Sequence, residues 1–445
     1  FRRASQAMVG FRPRGAHRRL CRRLGHAVAV SRRHYVGSQT MDVDATMNML
    51  VDERRNLLSK MRGLAELELR PYSIKDLEQA AHFRPQVRSA YLLQHLATGL
   101  ARNIFLLRNM PFGFASCPSI RAVTNDYISG FTELKEFCDQ HSSSSWTADA
   151  RAQKELLKVA TSIFQRQRGT MMGLAKGILE FKESLEMQFK DNCDLAFLRD
   201  ELEVLCAIEE SLDQFFTNRT TMRLLTAHVA HLSAADEPER RIEGRLGTLN
   251  QQTQPVLLLF QAYESASKMC VRDFGMVPDF TINGVPVERY MSSVNAIDGL
   301  TLSERMRGFT YVDTHLYYIG FEILKNAMRT SVIVAKEKGL SEAPPVQATF
   351  SGDSDWSQPG QRIIKIADQG AGMTRHEIAK AWSYFYSSVQ DRPKVAADVT
   401  DFDSRAPMAG YGFGLPVSRT LTRYFGGALD LNSIPGTGTD VYIYL

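Results

Sequence analysis

From residue 43 to about 245 the sequence repeats apolar residues three and four apart and shows almost no strict alternation. That pattern commits nearly half of the chain to long amphipathic helices. MDVDATMNMLVDERRNLLSKMRGLAELEL, QVRSAYLLQHLATGLARNIFLL, SIRAVTNDYISGFTELKEFC, AQKELLKVATSIFQRQRGTMMGLAKGILEFKESLEMQF and LAFLRDELEVLCAIEESLDQFFTNRTTMRLLTAHVAHL all carry it. Breaks fall at MPFGFASCPS, where Ser119 is expected to cap the next helix, and at the serine-rich HSSSSWTADA. Long helices joined by short loops predict an antiparallel, all-α bundle of the four-helix type over residues 41–245.

After SAADEPERRIEGRLGTLNQQTQP the pattern changes, and residues 246–445 mix helices with strands. PVLLLFQAYESASKMCVRDFG reads as a helix and DFTING as a short strand. VQATFSG and QRIIKIAD alternate like paired strands across the turn-rich DSDWSQPG. RHEIAKAWSYF and GLPVSRTLTRYFGG are helical, the apolar-poor stretch 387–409 is a long loop, and ALDLNS and TDVYIYL close the chain as strands. The expected class is therefore α+β, with a helical bundle followed by an α/β sandwich whose helices cover one sheet face.

The net charge of +5 hides an asymmetry. Residues 1–41 hold ten arginines and no acid, so the remainder carries −5 and gives nucleic acid no obvious electrostatic footing. An arginine-rich, acid-free start is the composition of a mitochondrial transit peptide, expected over residues 1–40. The sequence begins with Phe1 rather than Met and reads as a piece open at both ends. No apolar run approaches about 18 residues, so no membrane span is expected. Six scattered cysteines without a CxxC pair fit a reducing compartment rather than a zinc site or disulfide framework.

Three features in the second half carry chemistry. In FEILKNAMRTS, within a helix apolar around most of its circumference, Glu322, Lys325, Asn326 and Arg329 fall at i, i+3, i+4 and i+7 and share one face. In IADQGAG a strand ends at Asp368 and runs into Gly370 and Gly372. In GYGFGLP, Gly410, Gly412 and Gly414 precede a helix starting near Leu415. Closely spaced glycines let the backbone approach a ligand, and a helix N-terminus offers N–H groups to phosphate. An aspartate at a strand end can accept a hydrogen bond from an exocyclic amine. An asparagine oxygen can ligate Mg²⁺, which takes one or two protein oxygens plus phosphates and water. The glycine segment is neither a dinucleotide-binding fingerprint, since no strand immediately precedes it, nor a Walker loop, since no Gly-Lys-Ser/Thr follows.

Taken in order, E-x-x-K-N-A, D-x-G-x-G, G-x-G-x-G-L and the late GTGTD resemble the nucleotide-binding boxes of the GHKL superfamily of ATPases and kinases. HLYYIGFEILKNAMR, SYFYSS, GYGFGLPVSR and GTDVYIYL, together with FFTNRTTMRLL in the bundle, look like one branch of it. That branch is the mitochondrial pyruvate dehydrogenase kinases and the branched-chain α-ketoacid dehydrogenase kinase. The resemblance covers roughly residues 70–445. It implies a protein-serine/threonine kinase that uses ATP and Mg²⁺ in the mitochondrial matrix and inactivates the decarboxylase component of a 2-oxoacid dehydrogenase complex. Docking on the lipoyl domain of the acyltransferase core, as a homodimer, is implied too. Residue by residue, it makes Glu322 the general base and gives Mg²⁺ to Asn326. Lys325 and Arg329 supply positive charge near the nucleotide or tune Glu322. Asp368 binds adenine, with Gly370, Gly372 and Thr439 around it. Ser387 and Ser388 border the nucleotide, and Gly410, Tyr411, Gly412, Phe413, Gly414 and Leu415 wrap the phosphates. Residues 389–409 form the lid.

The chain departs from the family pattern at several places. Tyr318 stands where many members have a histidine four residues before the glutamate, a position where the branched-chain type also uses tyrosine. Arg166-Gln167 replaces an Arg-His pair, and Gly320 lies inside the catalytic helix, where it should cost about 1 kcal/mol relative to alanine. Pyruvate dehydrogenase kinases continue into a C-terminal tail, whereas this sequence stops at Leu445. SYFYSS and FEILKNAMR lean to a pyruvate-type substrate. Tyr318, GGALDL, GTDVYIYL and the end at Leu445 lean to the branched-chain type, and the balance falls on pyruvate. Two other readings compete. A histidine kinase would need a phosphoacceptor such as His228 or His231, neither followed by an acid. A non-catalytic scaffold is opposed by the intact Glu322, Asn326 and Asp368.

Overall fold

The computed structural model describes residues 57–111, 113–142, 146–188, 195–287, 308–351, 362–386 and 412–445. Side chains at 57–60, 186–188, 195–204 and 238 lie outside that set. The basic start, Ser387, Ser388, Gly410, Tyr411 and residues 389–409 also lie outside the described residues.

Among the described residues seven α-helices come first: α1 (Leu57–Ala65), α2 (Ile74–Ala81), α3 (Pro85–Arg108), α4 (Pro118–Gln140), α5 (Ala150–Arg166), α6 (Thr170–Gln188) and α7 (Leu195–Ala235). Their apolar stripes do the packing: Leu93, Leu96, Leu100, Ile104 and Leu107 on α3 and Ile120, Val123, Tyr127, Phe131 and Leu134 on α4 are buried. At 3.6 residues per turn this is the spacing that keeps one face inward. Trp146, from the serine-rich break, is buried in the same core, edge-on to Phe137.

Two local expectations are corrected. Ser119 does not cap α4. Cys117 holds that position without a side-chain bond, and Pro118, lacking an N–H, starts the helix. Ser119 instead donates through both its N–H (3.0 Å) and its hydroxyl (2.6 Å) to Glu180 on α6. The RHEIAKAWSYF segment is helical only over α10 (Arg375–Ala381), which a Thr374–Glu377 capping box starts; Ser383–Phe385 have left the helix.

The second half is built on a six-stranded sheet in the order β4-β3-β6-β7-β9-β8. The strands are β3 (Phe280–Ile282), β4 (Val285–Pro286), β6 (Val346–Ser351), β7 (Ile363–Asp368), β8 (Ala428–Ile434) and β9 (Gly438–Tyr444). Only β3 and β6 run parallel; the rest of the sheet is antiparallel. Alternation decides its faces. Val346, Ala348, Ile364, Ile366, Val441 and Ile443 are buried, while Gln347, Thr349, Lys365 and Tyr442 stand on the other side. The buried face carries α9 (Asp313–Lys338) and α11 (Gly414–Tyr424), and α8 (Pro255–Phe274) packs on α9. The α+β arrangement of bundle and one-sided sheet is thus the expected one.

A smaller sheet was not legible: β1 (Arg245–Leu246), β2 (Leu249–Thr253) and β5 (Phe309–Tyr311) pair in the order β1-β2-β5. Its middle strand, LNQQT, carries amides rather than branched apolar residues and so gives no strand signal. Asp313, in the first turn of α9, ties this sheet down. Its carboxylate accepts from Arg245 (2.8 Å), Asn250 (2.9 Å) and Thr253 (2.7 Å).

Candidate active site

Helix α9 is the spine of the site. Leu316, Ile319, Ile323, Leu324, Ala327 and Met328 are buried around it, so the helix is held by its neighbours rather than by its own propensity. Within this apolar setting Glu322 and Lys325 are each only 4% exposed. Lys325 Nζ lies 2.7 Å from both carboxylate oxygens of Glu322. Moving two charges out of water costs more than their attraction returns unless geometry is very good. Here the geometry is good, with the ammonium on both oxygens, so the pair can persist in the apolar interior. Lys325 also stands over the Phe321 ring, 5.3 Å from its centroid.

The glycine segment before α11 closes over this pair. A Cβ at Gly414 would overlap Glu322 Oε2, so only glycine allows the backbone to lie directly on the carboxylate. Helix α11 begins at Gly414, one residue before the expected start, and its first N–H groups open beside Glu322. Phe413, just before it, is buried, and Leu415 is half-buried. Of the expected phosphate-wrapping residues, Gly414 is thus brought onto Glu322, while Gly410 and Tyr411 lie outside the described residues.

One turn further along α9, Asn326 and Arg329 are half-buried on the same stripe, and burial lowers the Arg329 pKa. The stripe then continues to Thr330, a residue that sequence reasoning passed over although it lies at i+4 from Asn326. Thr330 touches the far corner of the site. There Asp368, the last residue of β7, sits opposite Thr439 on β9. Asp368 Oδ1 accepts the Gly370 N–H at 2.8 Å, and the Thr330 side chain and the Thr439 backbone also reach the carboxylate. Burial nonetheless outweighs these bonds and pushes the Asp368 pKa up to about 6.

The chain around Asp368 is held in shape by backbone contacts. Gly372, at φ 67°, lies against the Ile434 carbonyl, where a Cβ would collide. A Cβ at Gly370 would stand 2.7 Å from Thr330. Ser433 is a second residue that the sequence did not flag. Its Oγ accepts the Met373 N–H (2.8 Å), donates to the Gly438 carbonyl (2.9 Å) and meets Thr439 Oγ1 (2.9 Å). Nothing local marks Ser433; its position follows from the β8–β9 register. Eight residues of α9, about 12 Å at 1.5 Å per residue, separate the Glu322 end from the Asp368–Thr330 corner. The site is thus elongated, with a glycine-covered acid–base pair at one end and a hydrogen-bonding acid at the other.

The bundle histidines are structural. His228 is fully buried; its Nδ1 accepts the Thr248 N–H (3.1 Å) and its Nε2 faces the Leu77 carbonyl (3.0 Å). Burial lowers its pKa to about 4, so it is a neutral bracket between bundle and small sheet. His231 Nδ1 lies 3.2 Å from the Gly247 carbonyl.

Comparison with known proteins covers both halves in order. Residues 71–251 match the family model described as mitochondrial branched-chain alpha-ketoacid dehydrogenase kinase. Residues 311–445 match histidine kinase-, DNA gyrase B-, and HSP90-like ATPase. Together these matches support the mitochondrial pyruvate and branched-chain α-ketoacid dehydrogenase kinase family. Among its relatives, the mitochondrial [pyruvate dehydrogenase (acetyl-transferring)] kinase of Arabidopsis thaliana is 25% identical, over 81% of this chain and 84% of its own. Isozyme 4 of Mus musculus is 28% identical over 80% of this chain and 75% of its own length. Isozyme 3 of Homo sapiens is 26% identical over 84% of this chain and 82% of its own. The second matched model, that of an ATPase domain, spans the whole of α9, β7, α11 and β9.

Proposed function

We propose that this chain is an ATP-dependent protein-serine/threonine kinase of the mitochondrial matrix. It phosphorylates and thereby switches off the decarboxylase component of a 2-oxoacid dehydrogenase complex, pyruvate dehydrogenase in the first place. The observation that carries this reading is the buried Glu322–Lys325 pair lying directly under the backbone of Gly414. A carboxylate fixed beside a phosphate-binding helix start is placed to take the proton of a hydroxyl as that oxygen attacks phosphorus. Lys325 orients the carboxylate, and the N–H groups at the start of α11 take charge from the transferred phosphoryl group. Asp368 accepts from the adenine amine, with Thr439 and Thr330 beside it. Ser387, Ser388, Gly410 and Tyr411 complete the nucleotide's surroundings in this reading.

The donor set suits Mg²⁺. Among the described residues no cluster of three His, Cys, Asp or Glu side chains could hold a metal. Asn326, one turn from Glu322, offers the single amide oxygen that an ion carried in on phosphates requires. When bound, Mg²⁺ would neutralise phosphate charge. Arg329 adds positive charge to the same side. The acid-free, arginine-rich start supports a mitochondrial address. No helix among the described residues is long and apolar enough to cross a membrane. Docking on a lipoyl domain and homodimer formation belong to the same proposal.

The branched-chain component is the second candidate substrate, favoured by the model matched over residues 71–251 and by Tyr318. Radiolabelled ATP with Mg²⁺, offered both decarboxylase components with their lipoyl-bearing cores, decides between them. Acid-stable label on one component, lost in Glu322→Gln, is the expected result. Acid-labile label on the kinase itself, or no label at all, overturns the reading.

A further inference from the structure

The glycine segment that covers Glu322 is itself gripped by the helical bundle. Phe413, next to Gly414, lies edge-on to Phe216 of α7 (centroids 5.9 Å apart) and to Tyr384 (5.5 Å). Tyr384 in turn stacks on Phe216 at 5.4 Å and 18°. All three rings are at most 3% exposed. Polar bonds orient this triad: the Tyr384 hydroxyl donates to Asp213 Oδ1, one turn before Phe216 on α7, at 2.7 Å, and Thr420 of α11 also bonds it. The same Asp213 lies 3.8 Å from Arg419 of α11, whose guanidinium stands over Trp382. Two further bundle residues hold the segment around Tyr384: Lys182 donates to the Phe385 carbonyl, and Glu209 pairs with Ser383.

These contacts form one continuous path from α7 to the reacting carboxylate: Asp213 to Tyr384, Tyr384 and Phe216 to Phe413, and Gly414 to Glu322. We propose that Asp213 and Tyr384 are positioning residues for phosphoryl transfer. Through Phe413 they fix how closely the Gly414 backbone lies on Glu322, so that the bundle sets the activity of a carboxylate that lies beyond its last helix in the chain. Neither residue touches the nucleotide end at Asp368. Loosening them therefore changes the transfer step more than it changes ATP affinity.

This inference rests on the kinase reading, so its test has an arm that needs no phosphoacceptor. In the full chain, amide hydrogen exchange over residues 413–418 should quicken several-fold in Tyr384→Phe and Asp213→Ala. Exchange in β7 and β9 should not change. In the transfer assay both variants should lose about 5- to 20-fold in kcat, with the ATP KM within about 2-fold of wild type. Asp213→Asn keeps an oxygen acceptor for the Tyr384 hydroxyl and loses only the long pair with Arg419, so it should recover most of the rate. Unchanged exchange at 413–418 overturns the inference whether or not the wild type transfers phosphate. So does an Asp213→Asn variant as impaired as Asp213→Ala, or a rate loss matched by ATP KM. A wild type that transfers nothing while exchange responds as expected counts against the kinase reading and not against the path.

Discussion

Glu322 and Asp368 are two buried carboxylates in opposite circumstances. Glu322 has an ammonium on both oxygens, whereas Asp368 has only uncharged donors, and burial raises its pKa to about 6. For Glu322 the expectation is kinetic. Glu322→Gln should reduce transfer about 10²- to 10⁴-fold while calorimetric ATP affinity stays within a few-fold. It also leaves the Lys325 charge without a counter-ion, so a lowered melting temperature should accompany the loss. For Asp368 the expectation is a pH dependence with two signs. Between the ordinary carboxylate range and about pH 6 the folded protein keeps a proton that the unfolded chain has released. This group's contribution to stability is therefore present at low pH and lost as pH rises through about 6. In the proposed function the ionised carboxylate is the better acceptor for the adenine amine, so nucleotide binding runs the other way. ATP affinity should fall as pH is lowered through about 6, and Asp368→Asn should flatten the profile between pH 5 and 7.5.

At the scale of elements, the close approach of α8 and α9 accounts for Gly320. As an isolated helix residue it should cost about 1 kcal/mol, but in the packed pair a Cβ there would stand 2.6 Å from Leu259 Cδ2. Leu259 is only 1% exposed and has little room to withdraw. Glycine is thus the price of seating the catalytic helix against its neighbour. Gly320→Val should destabilise the protein by about 1–3 kcal/mol or more in urea melts, despite removing a flexible residue. The termini of these helices follow local chemistry. Pro255 opens α8, and Gly275 and Gly339, both with positive φ, follow the ends of α8 and α9.

At the scale of the whole molecule, the bundle and the sheet domain are joined by buried hydrogen bonds as well as by apolar surface. The Tyr424 hydroxyl at the end of α11 accepts the Tyr72 N–H (3.1 Å) and donates to Thr221 of α7 (3.0 Å). His228 makes the corresponding bracket to the small sheet. Tyr424→Phe leaves the Tyr72 N–H without its acceptor and the Thr221 hydroxyl without its donor. It should cost about 1–3 kcal/mol. It should also separate a single calorimetric transition into two, because these bonds couple the halves. A single transition at unchanged temperature would show that other contacts join them.

Much of this was legible in the residues themselves. Helical spacing over 43–245, the alternation of VQATFSG and QRIIKIAD, and the polar stripe from Glu322 to Arg329 depend on periods that a short segment carries by itself. So does the order of the nucleotide-binding segments, because glycine spacing is a local demand of the backbone. Other features are properties of pairs distant in the chain, and tertiary structure alone decided them. The Asn-Gln-Gln strand of the small sheet forms because Asp313 and β5 meet it. Ser433 and Thr330 reach the Asp368 corner through strand register and helix placement. Ser119 bonds Glu180 because α6 lies beside it, and Gly414 matters because its backbone meets a carboxylate 92 positions earlier. A sequence states which face of an element is apolar; how near two such faces come, and what is caught between them, is settled only when they pack.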